Sequence, residues 1–406
     1  MEELFLHFIW KYRRYNQREL LTTQGQQLEV IDPGQDHTAA GPDFRMAHIK
    51  LGNLEWVGPI EIHVNSSDWF AHGHQNDTNY DPVLLHVVWK DDRPVTNNNG
   101  ERIPTLELCG RVHRKVFDRW KELRADMYWI PCEPFLGDFD ELFWKAHWER
   151  MMVTRLEERS QEWKLRLLNN QHHWEETFYQ VLCRSFGLKE NSEPFEQVAL
   201  RTPLRIIRRE AHEYRSILAL LIGQSGWCSK GSVRKDYVDL FAHYHVLRLK
   251  HHLEPIDARL WKFGGIRPPN HPNKRMEQLA RLLYSYPDLV HRLLKMNDPN
   301  EWISLCNRAI GKGFGLAKSR VVLLNAIVPL LFYYGRWRGD QSFIEKALNW
   351  AQSLSAENNR IVQSFVARGI PVESALDGQA AQHQFVHYCR PKKCLICQVG
   401  KRVLNR

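Results

Sequence analysis

Two kinds of hydrophobic spacing divide the chain. Leu4, Phe5, Phe8, Ile9 and Tyr12 recur at helical spacing, so residues 2–15 are expected to form a helix with one apolar face. Short apolar runs follow at 28–31, 44–51, 60–64, 84–89 and 102–108, punctuated by Gly and Pro. Their lengths and β-branched content predict strands, and the polar stretch 73–80 reads as a loop or short helix between two of them. From about residue 138 the period changes to that of a helix. A long amphipathic helix is expected over 139–168, with others at 174–186, 214–221, 237–251, 274–284, 315–334 and 342–354. The Arg267-Pro-Pro-Asn-His-Pro run reads as a rigid loop ahead of 274–284. The expected organisation is an α/β domain over 1–115, a linker over 116–137, a helical domain over 138–380 and a Cys-containing tail over 381–406.

Composition alters this picture only in part. A hydrophobic share of 43% and a charged share of 25% belong to a folded globular chain, so wholesale disorder is excluded. No run reaches the ~18 uninterrupted apolar residues of a membrane helix; the nearest, 321–334, is interrupted by Asn325 and Pro329. The first residues carry two acids and no basic region, unlike a signal peptide. A cytoplasmic protein without a membrane partner is therefore expected, and its eight Cys are expected to be thiols or metal ligands rather than disulfides. A net charge of +9 favours an anionic partner such as nucleic acid. An ordinary basic enzyme would carry the same charge, and nothing in the residues indicates an oligomeric state.

The candidate chemistry is concentrated in Gly41-Pro-Asp-Phe44 and the stretch from Gly58 to His74. Glu61 and His63 alternate with Ile60, Ile62 and Val64, so both project from one face of a strand. Asp43, after a Pro, opens the preceding strand. If the two strands are neighbours, Asp43 and Glu61 converge on one divalent cation, and carboxylate oxygens suit Mg²⁺ or Mn²⁺.

This pattern resembles the PD-(D/E)XK nuclease superfamily, in which a Pro-Asp on one strand is joined by an acid-x-Lys on the next. Pro42-Asp43 matches the first element and Glu61-Ile62-His63 the second. The resemblance implies a restriction-endonuclease-like α/β domain with a mixed sheet; together with the helical periodicity after residue 138 it gives an expected α+β chain whose larger part is all-α. It also implies that Asp43 and Glu61 hold metal, that His63 stands where Lys is usual, and that Glu3 is a supporting acid on the first helix. Lys would supply a fixed charge, whereas neutral His can act as base or ligand. Gln75 and Tyr80 resemble the Gln/Tyr motif of RecB-like members, at a spacing one residue wider.

Simpler roles exist for several of these residues. Asp43 after Pro suits a turn, and Asp68 suits a helix N-cap for the segment beginning at Trp69. His86, between Leu85 and Val87, reads as a satisfied sheet histidine. His72 and His74 flank one Gly near Asp68 and Asp77, and with His63 they form an alternative His/Asp transition-metal set.

The tail places Cys389, Cys394 and Cys397 close together, with a chelating Cys394-x-x-Cys397 spacing. His387 or a distant residue would supply a fourth ligand, and Cys132 is the best candidate. Zn²⁺ or an iron–sulfur cluster suits such a set. Cys109, Cys183, Cys228 and Cys306 lie among apolar neighbours and read as core residues. Arg390, Lys392, Lys393, Lys401, Arg402 and Arg406 make the tail basic, and Arg201, Arg205, Arg208 and Arg209 form a second cluster on an expected helix.

The whole chain is also similar to the bacterial domain-of-unknown-function family 2851. The residues carrying that similarity are Ala40-Gly-Pro-Asp-Phe44, Glu61-Ile62-His63, Ser67-Asp68-Trp69, His72-Gly73-His74, Leu85-His86-Val87-Val88, residues 191–199 and the Cys tail. Three functions follow as expectations. The first is a metal-dependent nuclease or phosphodiesterase using Asp43, Glu61 and His63, with the helical domain gripping nucleic acid. The second is an inactive nuclease-fold protein that binds nucleic acid, and the third is a metallohydrolase of a small substrate.

Overall fold

A computed structural model of the chain describes residues 1–37, 40–125, 127–229, 237–311 and 314–405. Arg406, counted above in the basic tail, lies outside the described residues. Two compact units are present. One comprises Met1–Phe143, Arg368–Ile370 and Gln384–Arg406, and the other Trp144–Ala367 and Pro371–His383.

The first unit opens on α1 (Glu3–Lys11), which buries Phe5, Leu6, Phe8, Ile9 and Trp10. Removing each such side chain from water contributes about 1.5–3 kcal/mol, which is what holds so short a helix in place. The strands are β1 (Leu28–Asp32), β2 (Gln35–Asp36), β3 (Phe44–Leu51), β4 (Leu54–Asn65), β5 (Leu85–Lys90) and β6 (Thr105–Glu107). They form one mixed sheet in the order β1-β3-β4-β5-β6, with β2 paired to β3. A tight turn lets β3 and β4 pair antiparallel, whereas β4 and β5 are parallel. Parallel pairing requires a crossover, and the chain makes it through residues 66–84, which contain α2 (Asp68–Ala71). That crossover carries the histidine-rich segment.

β4 is much longer than the expected 60–64. Its first half pairs with β3 but leaves Leu54, Trp56 and Val57 exposed, so it lacks the burial alternation by which strands are read. Its second half, Ile60 to His63, is buried throughout, as suits an interior strand. The span read as a linker, 116–137, contains most of α3 (Arg114–Arg124). Trp120 from α3 stacks on Phe5 with ring centroids 4.4 Å apart. The C-terminal helix Gln398–Asn405 belongs to the same unit: Arg119 donates to the Val403 carbonyl at 3.0 Å, and Arg14 to the Asn405 side chain at 2.7 Å.

The second unit is helical among its described residues. The long helix α4 (Glu141–Asn169) enters it, and shorter helices follow at Trp174–Phe186, Ser192–Arg201, Leu204–Arg209, Tyr214–Gln224, Val238–His251 and Pro272–Ser285. Leu289–Lys295, Pro299–Ile310, Gly315–Val322, Val328–Arg338, Gln341–Ser353, Arg360–Val366 and Ala375–Gln384 complete the series. Gly315 to Arg338 is long and apolar enough to cross a membrane, but 61% of its most apolar window is buried inside the protein, as in a core helix. It passes through a π turn at Leu323–Ile327 just before Pro329, a residue with no N–H to continue the helical ladder.

Two readings are corrected here. Cys183 and Cys306 are buried, but Cys109 and Cys228 are exposed, because the adjacent Leu108 and Trp227 take the interior positions. The Arg201–Arg209 cluster is split between two helices by Thr202 and Pro203. One of its members, Arg208, is engaged: it donates to both oxygens of Glu175, each at 2.7 Å.

That pair has a pH signature. Arg208 holds the Glu175 carboxyl below the usual range. A carboxylate with a lower pKa in the folded state stabilises the protein above the unfolded value of about 4.3 and loses that contribution as pH falls through the folded value. Both groups are about one-third exposed, so the expected cost of Glu175→Gln at neutral pH is only about 0.2–1 kcal/mol. Urea denaturation should resolve that difference near neutrality and find it shrinking below about pH 4.

Candidate metal centre

Asp43 and Glu61 face each other across the start of the β3–β4 pairing. The backbone N–H of Asp43 donates to Glu61 Oε2 at 3.1 Å, and the backbone N–H of Ile62 donates to Asp43 Oδ2 at 3.0 Å. Each carboxylate thus terminates the partner strand's hydrogen bonding and is locked in place. The free oxygen of Glu61, Oε1, lies 3.2 Å from His74 Nε2 and 3.6 Å from His63 Nε2. Behind Asp43 stands His7 of α1, with Nε2 3.3 Å from Asp43 Oδ2 and 4.0 Å from Glu3 Oε1.

The histidines form a chain. His63 Nδ1 is 2.8 Å from His86 Nε2, and His63 Nε2 is 3.1 Å from His72 Nδ1. One ligand nitrogen from each of His63, His72 and His74 fits within a 4.8 Å group. His63, His74 and His86 are buried, while His72 is exposed. Gly73 makes this possible: at φ +77° it adopts the left-handed conformation that lets two successive histidines turn toward β4. A small core supports the loop from below. Trp69, Val83, Val95 and Ile103 pack together with Phe70 and Tyr80, and Trp69 donates to the Thr96 carbonyl at 3.1 Å. Ser66 and Ser67 anchor its start through Asp92.

Electrostatics set the charge state of these groups. Burial, together with the neighbouring His86, His74 and His72, pushes His63 down to about 2. Burial likewise pushes His86 down to about 3. Burial raises Glu61 above the usual carboxylate value, with His74 opposing the shift. Glu3 is raised by burial and by the charge of Asp43. Burial opposes the charge on His7, but Asp43 beside it outweighs that and holds the imidazole above its ordinary value. Tyr80 is pushed up to about 12 by burial and by Glu61.

A divalent cation fits this donor set. His74 Nε2 is buried, and its 3.2 Å contact with Glu61 Oε1 falls short of a well-aligned hydrogen bond. A buried nitrogen left so is costly unless something else satisfies it. Neutral imidazoles and a carboxylate are donors for Mn, Fe or Zn, and the two carboxylates together also suit Mg²⁺. Glu61, His63, His72 and His74 would hold the ion, with Asp43 adjacent.

Other expected residues are placed as follows. Tyr80 stacks on His74 with ring centroids 3.7 Å apart, and the buried Oε1 of Gln75 makes no hydrogen bond among the described residues. Asp68 is not a side-chain cap for α2; it starts that helix and reaches back to the backbone N–H of Asn65 at 2.9 Å. Asp77 caps the short turn that follows it, accepting from the backbone N–H of Asn79. His86, read as an ordinary sheet histidine, is the group that holds His63. His7 was not foreseen, although its position four residues after Glu3 puts both on one face of α1.

Residues 3–312 match the family described as "Protein of unknown function (DUF2851)". The chain belongs to that family. Searches of curated proteins and of solved structures found no match. All of this carboxylate and histidine cluster therefore lies inside the DUF2851 region, since it spans residues 3 to 86.

The DUF2851 chain also gathers its tail cysteines. Cys389 and Cys397 are buried with Cys132, and Cys394 is half-buried; all four are free thiols. Gln384 Nε2 reaches Cys389 Sγ at 3.5 Å and Cys397 Sγ at 3.1 Å. Cys132 feels the charges of Cys389, Cys397 and Cys394, and burial holds it well above its ordinary value. His387 is exposed. The basic tail is docked rather than free: Lys392 donates to the Arg124 carbonyl at 2.9 Å, and Lys401 and Arg402 lie over the rings of Tyr12 and Phe143.

Proposed function

We propose that this DUF2851 chain is a metal-dependent phosphodiesterase acting on nucleic acid, with Asp43, Glu61, His63, His72 and His74 at its centre. The reciprocal bonding of Asp43 and Glu61 across adjacent strands, with Glu61 Oε1 turned to the histidines, carries this reading. It also agrees with the PD-(D/E)XK resemblance: a Pro-Asp opens one strand, and an acid lies on its antiparallel neighbour, behind an N-terminal helix. His63 does not act as a lysine substitute with a fixed charge, because it is buried and neutral; it serves as a ligand. His86 fixes its ring, as second partners of ligating histidines commonly do. His7 steadies Asp43. A bound divalent cation would supply Lewis-acid polarisation of a phosphoryl oxygen and offset developing negative charge. The net charge of +9 favours a polyanionic substrate through counterion release.

The closeness of His63, His72 and His74 favours a second reading, a transition-metal hydrolase of a small substrate. Labelled single- and double-stranded DNA and RNA, incubated with the protein before and after chelation, decide between them. The expected result is cleavage that chelation abolishes and Mg²⁺, Mn²⁺ or Zn²⁺ restores. Absence of cleavage of all four substrates by metal-loaded protein would overturn the proposal. Salt-sensitive binding would then indicate a non-catalytic nucleic-acid binder, and turnover of a small phosphoester would favour the second reading.

A further inference from the structure

We infer that Cys132, Cys389, Cys394 and Cys397 form a four-thiolate metal site that clamps the C-terminal tail to the N-terminal unit. It is separate from the histidine centre and does not depend on the function proposed for it. The four cysteines come from two segments far apart in sequence, residues 130–133 and 389–397, yet they lie within one unit and within electrostatic reach of one another. One amide nitrogen, Gln384 Nε2, contacts two of the sulfurs, so Cys389 and Cys397 are close neighbours.

The local backbone is shaped around these sulfurs. The chain leaves the π turn Phe385–Cys389 and reverses through Lys392, which sits at φ 54°, a conformation that costs a non-glycine residue energy. That reversal brings Cys394 and Cys397 back toward Cys389. The helix Gln398–Asn405 starts directly after Cys397, and the backbone N–H groups of Val399 and Gly400 donate to the Cys397 sulfur. Gly400 is required by close approach, because a Cβ there would lie 2.2 Å from the Cys394 carbonyl oxygen. Arg124 and Lys392 add positive charge beside Cys394, and Lys401 beside Cys397.

Four neighbouring cysteines with a Cys-x-x-Cys pair are the donor types of a thiophilic metal; no three of their sulfurs lie within 4.8 Å of one another, so a single zinc would draw them together, whereas an iron–sulfur cluster takes a more widely spaced set. In either form the metal would tie Cys132 to the tail. The tail already meets the N-terminal unit through Arg119–Val403 and Lys392–Arg124.

The test uses the full chain purified without oxygen. Elemental analysis should find about one zinc per chain, or iron with acid-labile sulfide and a visible cluster absorption. Cys132→Ser and Cys397→Ser should lose that metal, whereas Cys183→Ser, in the helical core, should keep it. Should the site variants fail to fold, metal-free wild-type protein is titrated with Co²⁺, and separately with ferrous iron and sulfide. Thiolate-to-cobalt charge-transfer bands indicate the mononuclear site, and a cluster spectrum indicates the iron–sulfur form. Limited proteolysis of the metal-free protein should then cut within 390–401, where the tail is rich in Arg and Lys. Protein that takes up neither metal, with a proteolysis pattern unchanged by chelation, would overturn the inference.

Discussion

Glu61→Gln is expected to abolish the metal-dependent cleavage proposed for this chain while the N-terminal unit stays folded. The amide keeps an oxygen that can accept from the Asp43 backbone N–H, so the β3–β4 junction retains its 3.1 Å bond. What it loses is the anionic oxygen facing His74 and His63 at 3.2 and 3.6 Å, where an NH2 group that cannot ligate metal takes its place. Removing a residue that merely orients a ligand costs roughly 10–100-fold in affinity or activity; loss of an anionic ligand should exceed the upper end of that range. Cleavage rate and bound metal are measured together on variant and wild type, with circular dichroism as the check on folding. A variant that cleaves at the wild-type rate would remove Glu61 from the centre and, with it, the proposed function. Loss of cleavage with metal still bound would instead make Glu61 a group acting on substrate.

The second large effect concerns stability in the helical unit. Trp302 lies on the helix Pro299–Ile310, is fully buried, and donates its indole N–H to the Ser319 carbonyl at 2.9 Å. Trp302→Ala removes a large side chain from a packed interior and should cost about 3–5 kcal/mol. Trp302→Phe preserves most of the apolar volume but leaves the Ser319 carbonyl without this donor, a loss of roughly 1–3 kcal/mol. Urea denaturation ranks the three proteins, and hydrogen exchange in the helix Pro299–Ile310 assigns the loss to the helical unit. The capping box at Asp298 and Glu301 should keep that helix recognisable in both variants. An alanine variant as stable as wild type would show that Trp302 is not part of a tightly packed interior.

Many of the strands and helices that bury one face were legible in the sequence, but not all: the helices Ser192–Arg201 and Pro299–Ile310 bury Phe195 and Trp302 and were not foreseen. Periodicity is a local steric property, so Phe44–Leu51 and Trp174–Phe186 were legible at full length. Alternation also placed Glu61 and His63 on one face, and Pro42-Asp43 at the start of a strand. The exposed half of β4 and the helix α3 were not legible, the first because its apolar residues face outward and the second because its sequence is mostly charged.

Tertiary structure decided the rest. The parallel register that sets Glu61 beside His86 depends on the crossover between β4 and β5, which burial over the whole sheet dictates. That register turned His86 from an ordinary sheet residue into the partner of His63. The packing of α1 on the sheet brought His7 to Asp43. Closure of the tail onto the N-terminal unit brought Cys132 to Cys389, Cys394 and Cys397. Contacts of this kind join residues that no local rule relates. They form because burying apolar surface offsets the entropy of closing long loops, a cost that grows only slowly with loop length.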